Sequence, residues 1–272
     1  MMLDFVEVDA ARLGMAGPRL SYEATGDGPP VLLLHGIGAN STGFHAVMRG
    51  LAARCIAWNA PGYFLSDPFI AEAPRAEQYA DAALALLDAL GITEPAHIVG
   101  SSFGSMIGAC FAARHPARVA TLSLFGASRG QRWRTPAQRA EMLAMRAASI
   151  AEGGVALART RSARLVAPDT PEPILAQVRR MVAATDERGL MRAARCTDQV
   201  DVVADFAPHI TAPTLVVTGT RDAVNPPEVG MAIADAITGA RLELPPGIGH
   251  LMELEDPKGA LILLQRHLNI PS

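Results

Sequence analysis

A chain of 272 residues, 50% hydrophobic, is long enough to bury a sizeable core as one domain or as one domain with an insertion. With 19% charged residues and a net charge of -3, it has the composition of neither a disordered segment nor a nucleic-acid binder. Three cysteines, Cys55, Cys110 and Cys196, are widely spaced and odd in number, which argues against a disulfide framework or a CxxC metal site and makes a reducing compartment the default.

From the N-terminus, MMLDFVEVDA lacks a basic region followed by an apolar stretch, so no secretory signal is expected. No apolar run approaches the roughly 18 residues of a membrane span. A cytoplasmic location with no membrane partner is the expectation. Phe5 to Val8 and Arg19 to Tyr22 read as an antiparallel pair ahead of the main pattern. Short apolar runs that end in glycine-rich turns then recur: Val31 to Leu34 before HGIG, Cys55 to Trp58 before NAPG, and His97 to Val99 before GSSFG. Val119 to Phe125, Thr214 to Thr218 and Arg241 to Leu244 follow the same rule. Such runs predict buried parallel strands.

Helical patterns lie between them. Tyr79 to Leu90 is amphipathic and stops at Gly91. Ser102 to Arg114 is small and apolar, and Pro226 to Ile237 and Pro257 to Leu268 carry proline near the first turn. The alternation predicts a mostly parallel α/β sheet flanked by helices. It is interrupted between about Ser128 and Asp205, where the chain reads as helical, broken by Gly153 and Gly154 and by Pro168, Pro171 and Pro173. The expected division is a core of 1–127 and 206–272 with a helical cap, 128–205, over the C-terminal strand ends. Those ends are where ligands bind in open α/β sheets.

Chemistry concentrates at the same ends. HIVGSSFGSMIG holds Ser101, Ser102 and Ser105, and a glycine turn capping a helix would account for it without any reaction. A nucleophile on a sharp strand-to-helix turn needs small residues two before and two after it, and only Ser102, between Gly100 and Gly104, has them. A serine nucleophile requires a base. Of seven histidines, His35, His45, His97, His115, His209 and His267 read as surface or structurally satisfied groups; His250 follows the last strand in PPGIGH, where a base reaches the strand edge. Asp222, after the Thr214 strand, is the expected orienting carboxylate, with Asp198 and Asp201 as weaker choices inside the helical insertion. The backbone N–H groups of Phe103 and Ile37 are the expected oxyanion donors. Gly36 and Gly38 let the HGIG backbone come close, and position 41 is Ser, so GxGxxG is not met.

With these residues the chain resembles the α/β-hydrolase superfamily over nearly its whole length, through LLLHGIG (32–38), WNAPGYFLSD (58–67), VGSSFGS (99–105), TGTRDAVNPP (218–227) and GIGHLMELEDP (247–257). The order Ser102, Asp222, His250 is that of the superfamily. Two positions depart from its pattern: Asn59 stands where Asp is usual and Phe64 where Gly is usual. Within the superfamily the chain is most similar to small bacterial esterases of the 3-oxoadipate enol-lactonase type. The resemblance implies a serine hydrolase acting on a small carboxylic ester or lactone, with no metal and no cofactor. Gly36, Ser101, Tyr63 and Phe64 are the expected substrate contacts. Carbon–carbon hydrolysis of ring-cleavage products and cofactor-free perhydrolysis are alternatives on the same triad, and a slow-turnover ligand-binding receptor is an alternative of another class. Thirteen arginines against six acids between Arg129 and Arg195 make the insertion +7 and the remainder of the chain -10. A basic cap of this kind suits a carboxylate-bearing substrate, although a solvated arginine-rich surface would look the same in sequence.

Overall fold

The computed structural model describes residues 1–270. Eight strands form one sheet: β1 (Leu3–Glu7), β2 (Arg19–Thr25), β3 (Pro30–Leu34), β4 (Arg54–Trp58), β5 (Ala96–Ser101), β6 (Val119–Phe125), β7 (Thr214–Val217) and β8 (Arg241–Glu243). Their spatial order is β1-β2-β4-β3-β5-β6-β7-β8. β1 and β2 pair antiparallel, β2 pairs antiparallel with β4, and every neighbour from β4 to β8 is parallel. β2 runs three residues past the predicted Tyr22, because its far end gains a second partner, with Thr25 opposite Cys55.

The strands read as unbroken apolar runs because both faces of the sheet are covered. In β3, Leu32 and Leu34 enter one cluster with helices Ala76–Ala89 and Phe103–Arg114, while Val31 and Leu33 enter the other with helix Pro257–Leu268. Helix Ala76–Ala89 starts before its apolar pattern does, since Gln78 Oε1 accepts the Arg75 N–H and closes the first turn. It stops at Gly91, whose φ of 69° a β-carbon would oppose.

Between β6 and β7 the chain leaves the sheet and forms helices Pro136–Ala151, Gly154–Arg161, Glu172–Ala183 and Glu187–Asp198. Their apolar faces build a small cluster of their own around Val178, Val182 and Leu190. Leu251 and Leu254, from the segment after β8, belong to that cluster, so the helices rest on the C-terminal strand ends. No helix among the described residues is long and apolar enough to cross a membrane.

Candidate active site

The turn between β5 and helix Phe103–Arg114 is strained at one residue. Ser102 has φ 54° and ψ -115°, a region that L-residues occupy at a cost of about 1–3 kcal/mol and that persists only where the surroundings enforce it. The enforcement is visible. The Ser102 N–H donates to Phe125 O at 2.9 Å, and the Ser105 hydroxyl donates to Ser102 O at 2.6 Å while accepting the Ser128 N–H at 2.9 Å. A β-carbon on Gly100 would lie 2.2 Å from Gly104 O, and one on Gly104 would lie 1.9 Å from Leu34 O. The glycines flanking Ser102 are thus required by backbone contact. Between residues 101 and 110 only Ser102 is not fully buried.

His250 lies in the loop after β8, its Nδ1 2.7 Å from Asp222 Oδ2. Both side chains are almost wholly buried. The second Asp222 oxygen accepts the N–H groups of Val224 and Asn225, each at 2.8 Å, so the carboxylate is satisfied and fixed in direction. Glu255 holds the His250 loop: its oxygens accept the N–H groups of Gly249 at 3.0 Å and Leu251 at 3.2 Å. The same carboxylate takes the Ala167 N–H at 2.7 Å and the Thr170 hydroxyl at 3.1 Å, tying the helical insertion to that loop. Gly126, at φ 49°, lies under the imidazole, where a β-carbon would be 3.1 Å from Nδ1. No hydrogen bond joins Ser102 Oγ to His250 among the described residues, though both line one recess; catalytic contacts of this kind tighten with substrate in place.

The HGIG turn lies directly against the serine: a β-carbon on Gly36 would be 3.0 Å from Ser102 Cβ. Among the described residues, the N–H of Ile37 donates to no acceptor, and neither does that of Phe103, the first residue of its helix. Both residues line the cavity next to Ser102. His35 sets this turn. Its Nε2 accepts the Ala60 N–H at 3.0 Å, so the proton sits on Nδ1, which donates to Gly36 O at 2.8 Å. Burial pulls its pKa down to about 4, with the Gly36 bond opposing, and the ring is neutral at neutral pH.

Three expected substrate contacts lie elsewhere. Ser101 is buried and its hydroxyl donates to Glu253 Oε1 at 2.6 Å, on the side of the strand away from the cavity lining. Glu253 itself is pushed toward its neutral form by burial, against the Ser101 bond. Tyr63 is fully buried against His35, with ring centroids 4.9 Å apart. Phe64 has φ 36° and Leu65 φ 73°, the left-handed conformations that glycine serves best, and Phe64 uses its carbonyl to accept the Ser21 hydroxyl. Asn59, the other departure, bridges Ser41 N–H and Ser21 Oγ at 2.8 and 3.0 Å. Tyr63 and Phe64 therefore belong to the packing of the loop after β4, whereas Gly36 does border Ser102.

Ser102 lies where two spaces meet. A recess of about 10 Å³ reaches His250 and is closed by Leu165, Val178, Met181 and Leu251. A cavity of about 570 Å³ extends the other way under the inserted helices and includes Trp133, Arg134, Arg146 and Arg161 in its wall. Among the described residues no three His, Cys, Asp or Glu side chains are grouped as metal ligands.

The support residues Gly126, Asn225 and Glu255 and the cavity arginines were not singled out by the sequence. Gly126 carried a weak signal as the first glycine after a strand, but Glu255 is indistinguishable in sequence from Glu253 two residues earlier.

The strand order, the strained serine after β5 and the histidine–aspartate pair after β8 and β7 together define an α/β-hydrolase fold with a candidate reaction centre at the C-terminal sheet edge. The alpha/beta hydrolase fold family matches residues 29–150. The chain is 28% identical over 269 residues to 2-hydroxy-6-oxononadienedioate/2-hydroxy-6-oxononatrienedioate hydrolase 1 of Dechloromonas aromatica, covering 87% of this chain and 86% of that one. It is 28% identical over 255 residues to the pimeloyl-(acyl-carrier protein) methyl ester esterase of Chromobacterium violaceum, covering 92% and 98%. Among solved structures, the enol-lactonase of Burkholderia xenovorans superimposes with a TM-score of 0.84 at 25% identity, over 96% of this chain and 99% of that one. The chain has the α/β-hydrolase fold and is a hydrolase.

Proposed function

We propose that the protein is a serine hydrolase of small carboxylic esters or lactones, working through an acyl-enzyme on Ser102. The observation that carries this reading is the enforced positive φ of Ser102 at the mouth of a cavity, beside the buried His250–Asp222 pair. Ser102 attacks the carbonyl as His250 takes its proton, and Asp222 fixes the Nδ1-protonated tautomer and stabilises the imidazolium. The Ile37 and Phe103 N–H groups hold the oxyanion, reinforced by the positive end of a 12-residue helix. The recess beside His250 has room for about one water, where deacylation needs one. The inserted helices, 128–205, act as a cap that selects the substrate. No cofactor takes part in this scheme.

A fluorophosphonate probe followed by peptide mass spectrometry tests it. A single adduct on Ser102, absent after prior denaturation and accompanied by p-nitrophenyl acetate turnover, is expected. An unlabelled Ser102, or turnover undiminished in Ser102→Ala, overturns the reading. Labelling with negligible turnover of any ester would favour a ligand-binding receptor. The dioate hydrolase relative favours a second reading, carbon–carbon hydrolysis of a ring-cleavage product on the same three residues. Turnover of vinylogous diketo acids in preference to esters would select it.

A further inference from the structure

The arginines of the cap divide by what they bind. Arg129 makes a two-pronged pair with Asp201 at 2.7 and 3.0 Å, and Arg139 does the same with Asp198 at 3.1 and 2.7 Å. Arg192 and Arg195 share Glu72 at 2.8 and 2.7 Å. Arg134 lies over the Trp133 ring at 4.2 Å and donates to Gln131. Arg146, from helix Pro136–Ala151, and Arg161, the last residue of helix Gly154–Arg161, differ from all of these. Both line the cavity that opens on Ser102, both are half-buried, and neither makes a hydrogen bond or an ion pair among the described residues.

Their surroundings offer no counter-ion. Asp198 is near enough to favour the charged form of Arg146, but both its oxygens are committed to Arg139. Glu228 is the one carboxylate in the cavity wall, against five arginines, of which only Arg129 is neutralised. Burial, with the Arg161 charge adding to it, pulls Arg146 down to about 10, and burial, with the Arg164 charge adding to it, lowers Arg161. Both stay cationic at neutral pH. Two adjacent, partly desolvated cations with their donors unused are costly, and an anion between them removes that cost. The planar guanidinium fork matches a carboxylate in particular.

We propose that Arg146 and Arg161 form a carboxylate subsite in the cap wall of the Ser102 cavity, so that the preferred substrates carry a carboxylate remote from the carbonyl that reacts. The inference rests on the hydrolase reading of Ser102. It goes beyond the net charge of the cap, because among the arginines of the cavity wall Arg129 is ion-paired, Arg134 is stacked on Trp133 and bonded to Gln131, and Arg164 is exposed, which leaves Arg146 and Arg161 as the half-buried pair with unused donors.

The test compares mono-p-nitrophenyl adipate with p-nitrophenyl hexanoate, which differ by the distal carboxylate. The native enzyme is expected to favour the adipate by tenfold or more in kcat/KM. That ratio falls at least tenfold in Arg146→Gln and in Arg161→Gln, takes an intermediate value in Arg161→Lys, and persists in Arg188→Gln, whose side chain is exposed and paired with Asp186 outside the cavity. Equal treatment of the two esters by the native enzyme overturns the proposal, as does a ratio that survives in the double glutamine variant. Folding is checked by circular dichroism, and if the glutamine variants fail it, the lysine variants carry the comparison. A failure of the serine reading looks different: neither ester turns over and Ser102 takes no label. Calorimetric titration of adipate into Ser102→Ala with and without the two arginines then decides the subsite alone, loss of binding supporting it and retention overturning it.

Discussion

On the floor of the cavity, Asp222 spends both oxygens on three donors, His35 spends both ring nitrogens, and Ser102 is pinned through its own backbone and through Ser105. On its roof, Arg146 and Arg161 bring five N–H donors each and use none among the described residues. The difference teaches how the two halves divide the work. A reaction centre gains from having one geometry, since a preorganised site needs no rearrangement as charge develops. A selecting surface must keep bonding capacity free until substrate supplies the partner.

The sharpest way to break the floor is to remove the proposed nucleophile. Ser102→Ala should lower kcat by about 10⁴-fold or more, leaving only what the oxyanion donors and binding provide. Asp222→Asn should cost nearly as much, about 10³–10⁴-fold, because the amide favours the wrong His250 tautomer. Steady-state kinetics with p-nitrophenyl acetate reads both, and a loss smaller than tenfold for either would remove that residue from the mechanism.

Next is the backbone that supports the serine. In Gly104→Ala the new β-carbon meets Leu34 O at 1.9 Å, and that oxygen belongs to a central strand that cannot yield. The variant should lose about 3 kcal/mol or more of stability, measured by urea unfolding. Gly91→Ala is the contrast: nothing lies within 4 Å of its β-carbon, so only the positive φ opposes it, at about 1 kcal/mol. Equal losses at the two positions would mean that the elbow tolerates a side chain.

These contacts explain what could be read in advance. The floor was legible because it is made of backbone demands: Gly100 and Gly104 must be glycine whatever the substrate, and each chemical residue follows a strand that its apolar run announces. The roof was legible only as an excess of arginine. Which arginines are spent depends on partners such as Glu72 for Arg192, 120 residues away, and Asp201 for Arg129, 72 residues away. Spacing along the chain carries no trace of those pairings. Tyr63 and Phe64 were misplaced at the mouth for the same reason, since the turn of the loop after β4, and not its composition, directs Tyr63 inward onto His35.

His35 offers a pH handle on the floor. Its folded pKa of about 4 lies below the ordinary 6.5, so between those values the unfolded chain binds the extra proton and the folded chain does not. Stability from this group is complete above pH 6.5 and is lost as pH falls toward 4, by up to about 3 kcal/mol. Other histidines are lowered by burial too, so the measurement is the difference between the native chain and His35→Gln. The variant should be less stable at pH 7 and show a flatter decline between pH 6.5 and 4. Parallel pH curves would mean that His35 is protonated without cost, and that the Ala60 bond does not hold the HGIG turn.

A smaller effect than at Gly104 or His35 is expected at the bolt joining floor and roof. Glu255 receives Gly249 and Leu251 from the His250 loop and Ala167 and Thr170 from the cap, four donors on one carboxylate. Glu255→Gln keeps the shape but presents an NH₂ group to some of those donors. A change of about 2 kcal/mol in stability follows from the lost charge-assisted bonds. The informative readout is how the change divides. If the cap is held to the floor through this carboxylate, amide exchange in residues 167–170 should quicken more than in β3 or β5, and kcat for p-nitrophenyl acetate should fall along with the ordering of the His250 loop. If both halves lose protection equally, Glu255 contributes only to global stability. The two regions would then be one cooperative unit, and the freedom assigned to the roof would reside in its arginine side chains alone.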